Sequence, residues 1–340
     1  MANPSARDVA LDAEWLPHTY DAGGGNLIFV HVPPEARAEL MFLSDEHYAG
    51  KFRKAAFPAA AIAAEVESAS RAPLHFVFHT SFCCSTLLAR ALDVEGVSNT
   101  LREPDVLINL GNRLIASDDQ ANRQRLELVI RLLERPAAPG EAVIVKPSNF
   151  ANRLVDLILA QRTETRAVLL YSDVGTYLRS LLKRGMFGRI FGRKLFNQMS
   201  GWSPLKFGYS PSELFEQTDV QIAALGWLMQ IHHFDAIARA FGPQRVMLLD
   251  SATLLADPHG SLRRSAALFG LDLDEERISK IVIGPAFSKH SKFSERDYGA
   301  EARKKDHDAV MDAHSEELGM VVNWIEAVAA QLGVPLKPGS

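Results

Sequence analysis

The sequence predicts an α/β protein built on a doubly wound, mostly parallel sheet. Three observations carry this. Four short apolar runs, LHFVFHT (74–80), EAVIVKP (141–147), TRAVLLYS (165–172) and QRVMLLD (244–250), are continuous rather than alternating, as strands buried on both faces are. Segments with helix start signals lie between them. The first run passes through a short turn of small and polar residues straight into the amphipathic STLLARAL (85–92), a P-loop-type strand-turn-helix.

Residues 1–70 read as an N-terminal extension. NLIFVHVP (26–33) is a strand after the turn DAGGG, and AAFPAAAIAAEVESAS (55–70) is Ala-rich and expected to be helical. Residues 71–335 are the α/β domain, with a helical insertion at about 185–240. Asp173 caps the helix through Tyr177 and Leu181. SPSE (210–213) offers Ser210 as cap, Pro211 at the first position and Glu213 for a capping box. Asp257-Pro258 opens another helix, which Gly270 closes.

Composition narrows the function classes. The chain has 340 residues, 47% hydrophobic and 23% charged, enough for a sizeable core without disulfides or structural metal. A net charge of −4 gives no general attraction to nucleic acid or anionic membranes, so no nucleic-acid partner is expected. The two cysteines are neighbours, Cys83 and Cys84, which excludes a disulfide framework and fits a reducing compartment. With no apolar run of signal-peptide or membrane-span length, a cytoplasmic location is expected.

The most informative segment is FVFHTSFCCSTLLAR (76–90). The first amides of a helix lack internal partners and its dipole favours negative charge, so a phosphate or sulfate group is the usual occupant of such a junction. Thr80, Ser81, Phe82, Cys83, Cys84, Ser85 and Thr86 form the loop, and Ser81, Ser85 and Thr86 add hydroxyl donors. Simple capping by Ser81 or Ser85 accounts for the same residues. The Gly and Lys of a standard nucleotide loop are missing.

The order of segments resembles the sulfotransferase superfamily, particularly its bacterial members. The family's donor loop typically reads G-T-P-R-S-G-T-T-L-L, and HTSFCCSTLL (79–88) retains Thr80, Thr86, Leu87 and Leu88. LREPDVL (101–107), VIVKPSNFANRLVDLILA (143–160), AVLLYSDVGTYLRSLLKR (167–184) and RVMLLDSATLLADPHGSLRRSAALFGL (245–271) follow in family order. The resemblance covers about residues 73–295. It implies a small-molecule nucleotide donor, 3′-phosphoadenosine 5′-phosphosulfate (PAPS), held at its 5′ side by residues 81–86 with Lys146. The strand-loop-helix carrying Ser172 and Ser180 would hold the 3′-phosphate. Phe82 stands where the family has a loop cation, Cys84 where it has Gly, and Ser172 where it has Arg.

Glu103 is the candidate base toward an acceptor hydroxyl or amine, with capping of the next helix as its other reading. Lys146, at a strand end, is the candidate replacement for the loop cation or else a solvated lysine. His79 could move a proton or simply bond to backbone. The neighbouring thiols could respond to redox, although small buried cysteines are commoner. Residues 174–212 contain no Asp or Glu but many Arg, Lys, Phe and Gly, which suits a lid in which Arg184 or Lys183 replaces the absent Arg. A membrane surface, nucleic acid or an exposed hairpin with core aromatics are alternative readings of that stretch. In SKHSKFSER (288–296), Lys289, Lys292 and Arg296 could close the donor site. No metal-ligand spacing is present. Two other functions stay open: an ATP- or GTP-dependent phosphotransferase using magnesium, with Ser85, Thr86 and Asp250 as ligands, and a binding protein that kept the fold. The acceptor and the oligomeric state are not legible.

Overall fold

In a computed structural model of the chain, the described residues are 3–284, 287 and 300–339, with side chains described outside 300–313. Among the described residues, eight strands form two sheets. β1 (Trp15–Tyr20), β2 (Asn26–His31) and β3 (Lys54–Pro58) make an antiparallel sheet in that order. β4 (Leu74–His79), β5 (Ser98–Arg102), β6 (Ala142–Lys146), β7 (Ala167–Tyr171) and β8 (Val246–Asp250) make a wholly parallel sheet in the order β5-β6-β4-β7-β8.

Both faces of the parallel sheet are covered, which is why its strands are apolar throughout. Val77, Ile144, Val168, Leu170 and Leu249 face one layer with Leu88, Leu92, Leu254, Leu262 and Phe269. Phe76, Phe78, Val143, Val145 and Leu169 face the other, packed with residues of the helices Asp105–Ala116, Gln120–Leu133 and Val155–Gln161. The helix following β4 thus lies on one face, and those following β5 and β6 on the other. Such divergence opens a crevice at the carboxyl ends of the strands, where open α/β sheets place ligands. The expected caps are present: Asp173 accepts from Thr176 N at 2.9 Å, Ser210 and Glu213 form a capping box, Asp257 caps, and Gly270 ends its helix at φ 68.

Residues 55–58 depart from the expected helix. They alternate exposed and half-buried as β3, and only Ala59–Val66 is helical. Helix propensity in this Ala-rich stretch yields to pairing with β2.

The N-terminal layer shares one apolar core with the parallel sheet, Val9, Leu27, Phe29 and Val30 belonging with Phe76 and Val145. Buried arginines tie the two together through backbone carbonyls. Arg135, 5% exposed, donates to the carbonyls of Leu132, Val9, Ala10, Asp12 and Trp15 at 2.6–3.1 Å. Burial lowers its pKa to about 9. Arg102, at the end of β5, donates to the carbonyls of Arg37 and Leu40 at 2.6 and 2.7 Å.

Two buried histidines set a pH dependence. His75 stacks on Phe269 at 4.9 Å and its Nδ1 accepts from Arg166 N, while His233 is enclosed beside Trp202. Burial holds each near pKa 4 rather than 6.5, Arg166 adding to the shift at His75. A histidine depressed on folding gains its proton on unfolding, so the stability present above pH 6.5 is lost as pH falls toward 4. The unfolding free energy measured in urea is expected to drop over that window, by up to about 3 kcal/mol for His75. His75→Phe, which keeps the ring stack, should flatten part of the slope; an unchanged slope would place the effect elsewhere.

Candidate functional site

Loop 80–84 leaves β4 in an unusual backbone conformation. Ser81, Phe82 and Cys84 all have positive φ (73, 52 and 63), a region that residues with a Cβ rarely enter. Left-handed residues in a turn gather successive amides into a concave, anion-favouring set. Such strain, about 1–3 kcal/mol per residue, persists only where the surroundings fix it. Here they do. Asn152 Nδ2 donates to His79 O at 3.1 Å, and Gln230 Nε2 donates to Thr80 O at 3.3 Å. Ser81 N donates to His79 Nδ1 at 3.0 Å, and buried Cys83 Sγ donates to Leu170 O at 3.4 Å. Neither Ser81 nor Ser85 caps the helix Ser85–Ala91; the cap position is Cys84, in the left-handed region, and its side chain does not bond to the first-turn amides.

Glu103 and Lys146 meet at the carboxyl ends of β5 and β6. Arg102 pairs in register with Lys146, so the residue after it lands beside the lysine. Lys146 Nζ donates to Glu103 Oε1, and Glu103 N donates to Lys146 O at 2.6 Å. Glu103 itself has φ 51. It does not cap the following helix, whose cap position is Pro104. Lys146 is no solvated lysine: it is 1% exposed, with the ring of Phe42 5.2 Å away. Glu103 is 21% exposed by side chain, and its Oε2 makes no hydrogen bond among the described residues. The carboxylate is therefore held on one oxygen and open on the other.

His79 lies 4.0 Å from Glu103 Oε1, but both ring nitrogens are engaged. With Nδ1 accepting from Ser81 N, the ring proton sits on Nε2 and is donated to Pro147 O at 3.0 Å. Both bonds tie His79 to backbone, one of them within the loop.

The carboxyl ends of β4 and β7 and the helix after β7 carry buried hydroxyls. Thr80 Oγ1, Ser172 Oγ and Tyr177 OH are sealed from solvent with no hydrogen-bond partner among the described residues, each an unfavourable state worth about 1–3 kcal/mol. Trp227 Nε1 fixes Ser172 O at 2.9 Å, and Ser180 is half-buried one helix further on. Phe82 packs against Tyr177 and Phe191 at 5.7 and 5.5 Å, and the Arg184 guanidinium lies over its ring at 5.3 Å. A cation thus stands beside the loop after all, brought from the helical insertion. Buried Ser85 and Thr86 open the helix.

No family model matches the chain, and no curated protein does. Its neighbours among solved structures include sulfotransferases. The sulfotransferase domain from the curacin biosynthetic pathway is 12% identical, with TM-score 0.42 over 65% of this chain and 83% of its own. A sulfotransferase from Mycobacterium avium is 13% identical, with TM-score 0.42 over 76% and 79%, and one from Alicyclobacillus acidocaldarius 11%, with TM-score 0.37 over 76% and 96%. Likenesses this distant leave the chemistry to be argued from this chain's own side chains.

Sequence reasoning missed Asn152 and Gln230, which pin the loop. A lone Gln within the apolar run of the helix Asp219–Phe241 was the signal for the latter. It also missed Phe42 from the N-terminal layer. Lys289, Lys292 and Arg296 lie outside the described residues. Asp250, offered as a magnesium ligand, accepts from Ala252 N at 2.8 Å and caps the next helix. Two His-carboxylate clusters lie elsewhere, Asp12/Glu14/His31 and His18/Asp45/Asp105, each assembled from separated segments. In the second, Lys54 Nζ lies 2.7 Å from Asp45 and already supplies the positive charge. Cavities of about 580 and 710 Å³, one beside Asp173 and Arg179 and one beside Arg166 and Arg264, are not lined by loop 80–86 or by the Glu103–Lys146 pair. Among the described residues no helix is long and apolar enough to cross a membrane.

Proposed function

We propose that this chain is a sulfotransferase-like transferase that uses PAPS as donor and a hydroxyl or amine compound as acceptor. The observation that carries the reading is the sealed Lys146 paired with Glu103 at the crevice, next to a loop held in left-handed backbone. The site fits an anionic donor on four counts: the amides of residues 82–86, the buried hydroxyls of Thr80 and Ser172, the ammonium of Lys146, and Arg184 over Phe82. When bound, PAPS supplies the sulfuryl group and a phosphate leaving group.

The chain's own residues then have separate tasks. Loop amides and Lys146 bind negative charge that grows on the leaving phosphate, a form of stabilisation strongest in a water-poor site. Ser172, Ser180 and Arg184 bind the 3′-phosphate. Glu103 Oε2, the open oxygen, receives the proton of the acceptor as its oxygen or nitrogen forms the new bond to sulfur. His79 holds the loop in place.

Calorimetric titration with 3′-phosphoadenosine 5′-phosphate, and in parallel with ATP plus magnesium, tests the reading. The former is expected to bind, and Lys146→Met to weaken it by at least about tenfold, the loss of one charge-assisted contact. Magnesium-dependent binding of ATP alone would instead favour a phosphotransferase. Binding of neither would leave the fold without this chemistry.

A further inference from the structure

The helix Gly185–Ser200 is built inside out. Its inward face is Gly188, Gly192, Leu195, Phe196 and Met199, all buried. A Cβ at Gly192 would lie 2.7 Å from Ala223 Cβ, and one at Gly188 2.0 Å from Leu181 O, so backbone packs directly on backbone. The bulky side chains of the first turns point outward instead. Met186 is 70% exposed, Phe187 68% and Ile190 46%. They lie at spacings of three and four residues, on one helical face, at the corner where this helix meets Val174–Leu182. Single exposed apolar residues are ordinary, but three side by side on a rigid corner mark an interaction surface.

Charge says what it meets. Lys183, Arg184 and Lys194 are exposed around the three apolar side chains and form no ion pair among the described residues. No Asp or Glu occurs from residue 174 to 212. A second copy of the chain would set these cations against their own images across a two-fold axis, which is repulsive. An apolar tip ringed by cations is what a negatively charged bilayer surface accepts, the cations meeting phosphates while the tip enters the headgroup layer.

We propose that this corner docks the protein on an anionic lipid surface, with Met186, Phe187 and Ile190 inserted and Lys183 and Lys194 facing lipid phosphates. The docking stands independently of the chemistry proposed above. Arg184, next to Lys183, covers Phe82, so docking would bring the mouth of loop 80–86 to the membrane.

Vesicle sedimentation of the full chain tests this. Binding is expected to phosphatidylcholine vesicles containing roughly 30% phosphatidylserine, weak or absent with phosphatidylcholine alone, and reduced by salt. Lys194→Gln should lower partitioning about fivefold. Met186→Ser with Phe187→Ser should lower it about tenfold or more. All three side chains are exposed, so circular dichroism and melting temperature should stay native. No partitioning to the anionic vesicles at low salt, or partitioning indifferent to these variants, would overturn the proposal. So would a dimer that the double serine variant dissolves, or tighter binding to polyglutamate than to the vesicles, each naming a different occupant.

Discussion

Glu103→Gln is expected to slow sulfuryl transfer by roughly 10²–10⁴-fold while 3′-phosphoadenosine 5′-phosphate still binds close to native affinity. The amide keeps the size of the side chain and an oxygen that can accept from Lys146, so the local geometry has a reason to survive. What it loses is the ability to take a proton at the open oxygen. The measurement is transfer of labelled sulfate to a panel of phenols, alcohols and amines, beside calorimetry and a melting curve on the same preparation. A structural role for Glu103 would lower the melting temperature and donor binding together with the rate. Loss of rate alone assigns the proton to this residue, and an unimpaired rate would remove it from the chemistry.

Arg135→Met is expected to cost about 3–5 kcal/mol of stability, near the whole margin of a typical domain. Five carbonyls spread over residues 9–15 and 132 converge on one guanidinium, and of these Asp12 O also accepts from Trp15 N. Lysine offers three donors without the planar fork, so Arg135→Lys should recover only part of the loss. Urea unfolding followed by tryptophan fluorescence reads both, since Trp15 sits at the anchored end. A change within about 1 kcal/mol would mean that water replaces the arginine, and that the N-terminal layer is held by its apolar contacts alone.

Much of the architecture was written in local pattern. Continuous apolar runs marked β4, β6, β7 and β8 because strands covered on both faces have no polar side to show. β5 escaped notice because its buried Ser98 and Thr100 look like turn residues, although Ser98 Oγ is satisfied by Leu92 O at 2.6 Å. β1 was hidden by Pro17, which sits where its register with β2 shifts. At the site, Glu103 and Lys146 could each be singled out from neighbours in sequence, but their pairing follows from the register of β5 on β6, which no local pattern encodes. Phe82 read as a lost cation for a similar reason. The cation that lies over its ring, Arg184, comes from a hundred residues downstream, at the start of a helix packed by glycines.

The arginine anchors also order events during synthesis. Residues 9–15 leave the ribosome about 120 residues before Arg135, and residues 37–40 about 60 before Arg102. At typical elongation rates of roughly 5–20 residues per second, the N-terminal layer waits on the order of ten seconds for the donors that fix it. The N-terminal layer is therefore made well before the donors that secure it. During that interval the apolar β2 strand lacks the completed parallel sheet it packs with, and a nascent chain halted before residue 135 should be sensitive to protease within residues 9–40.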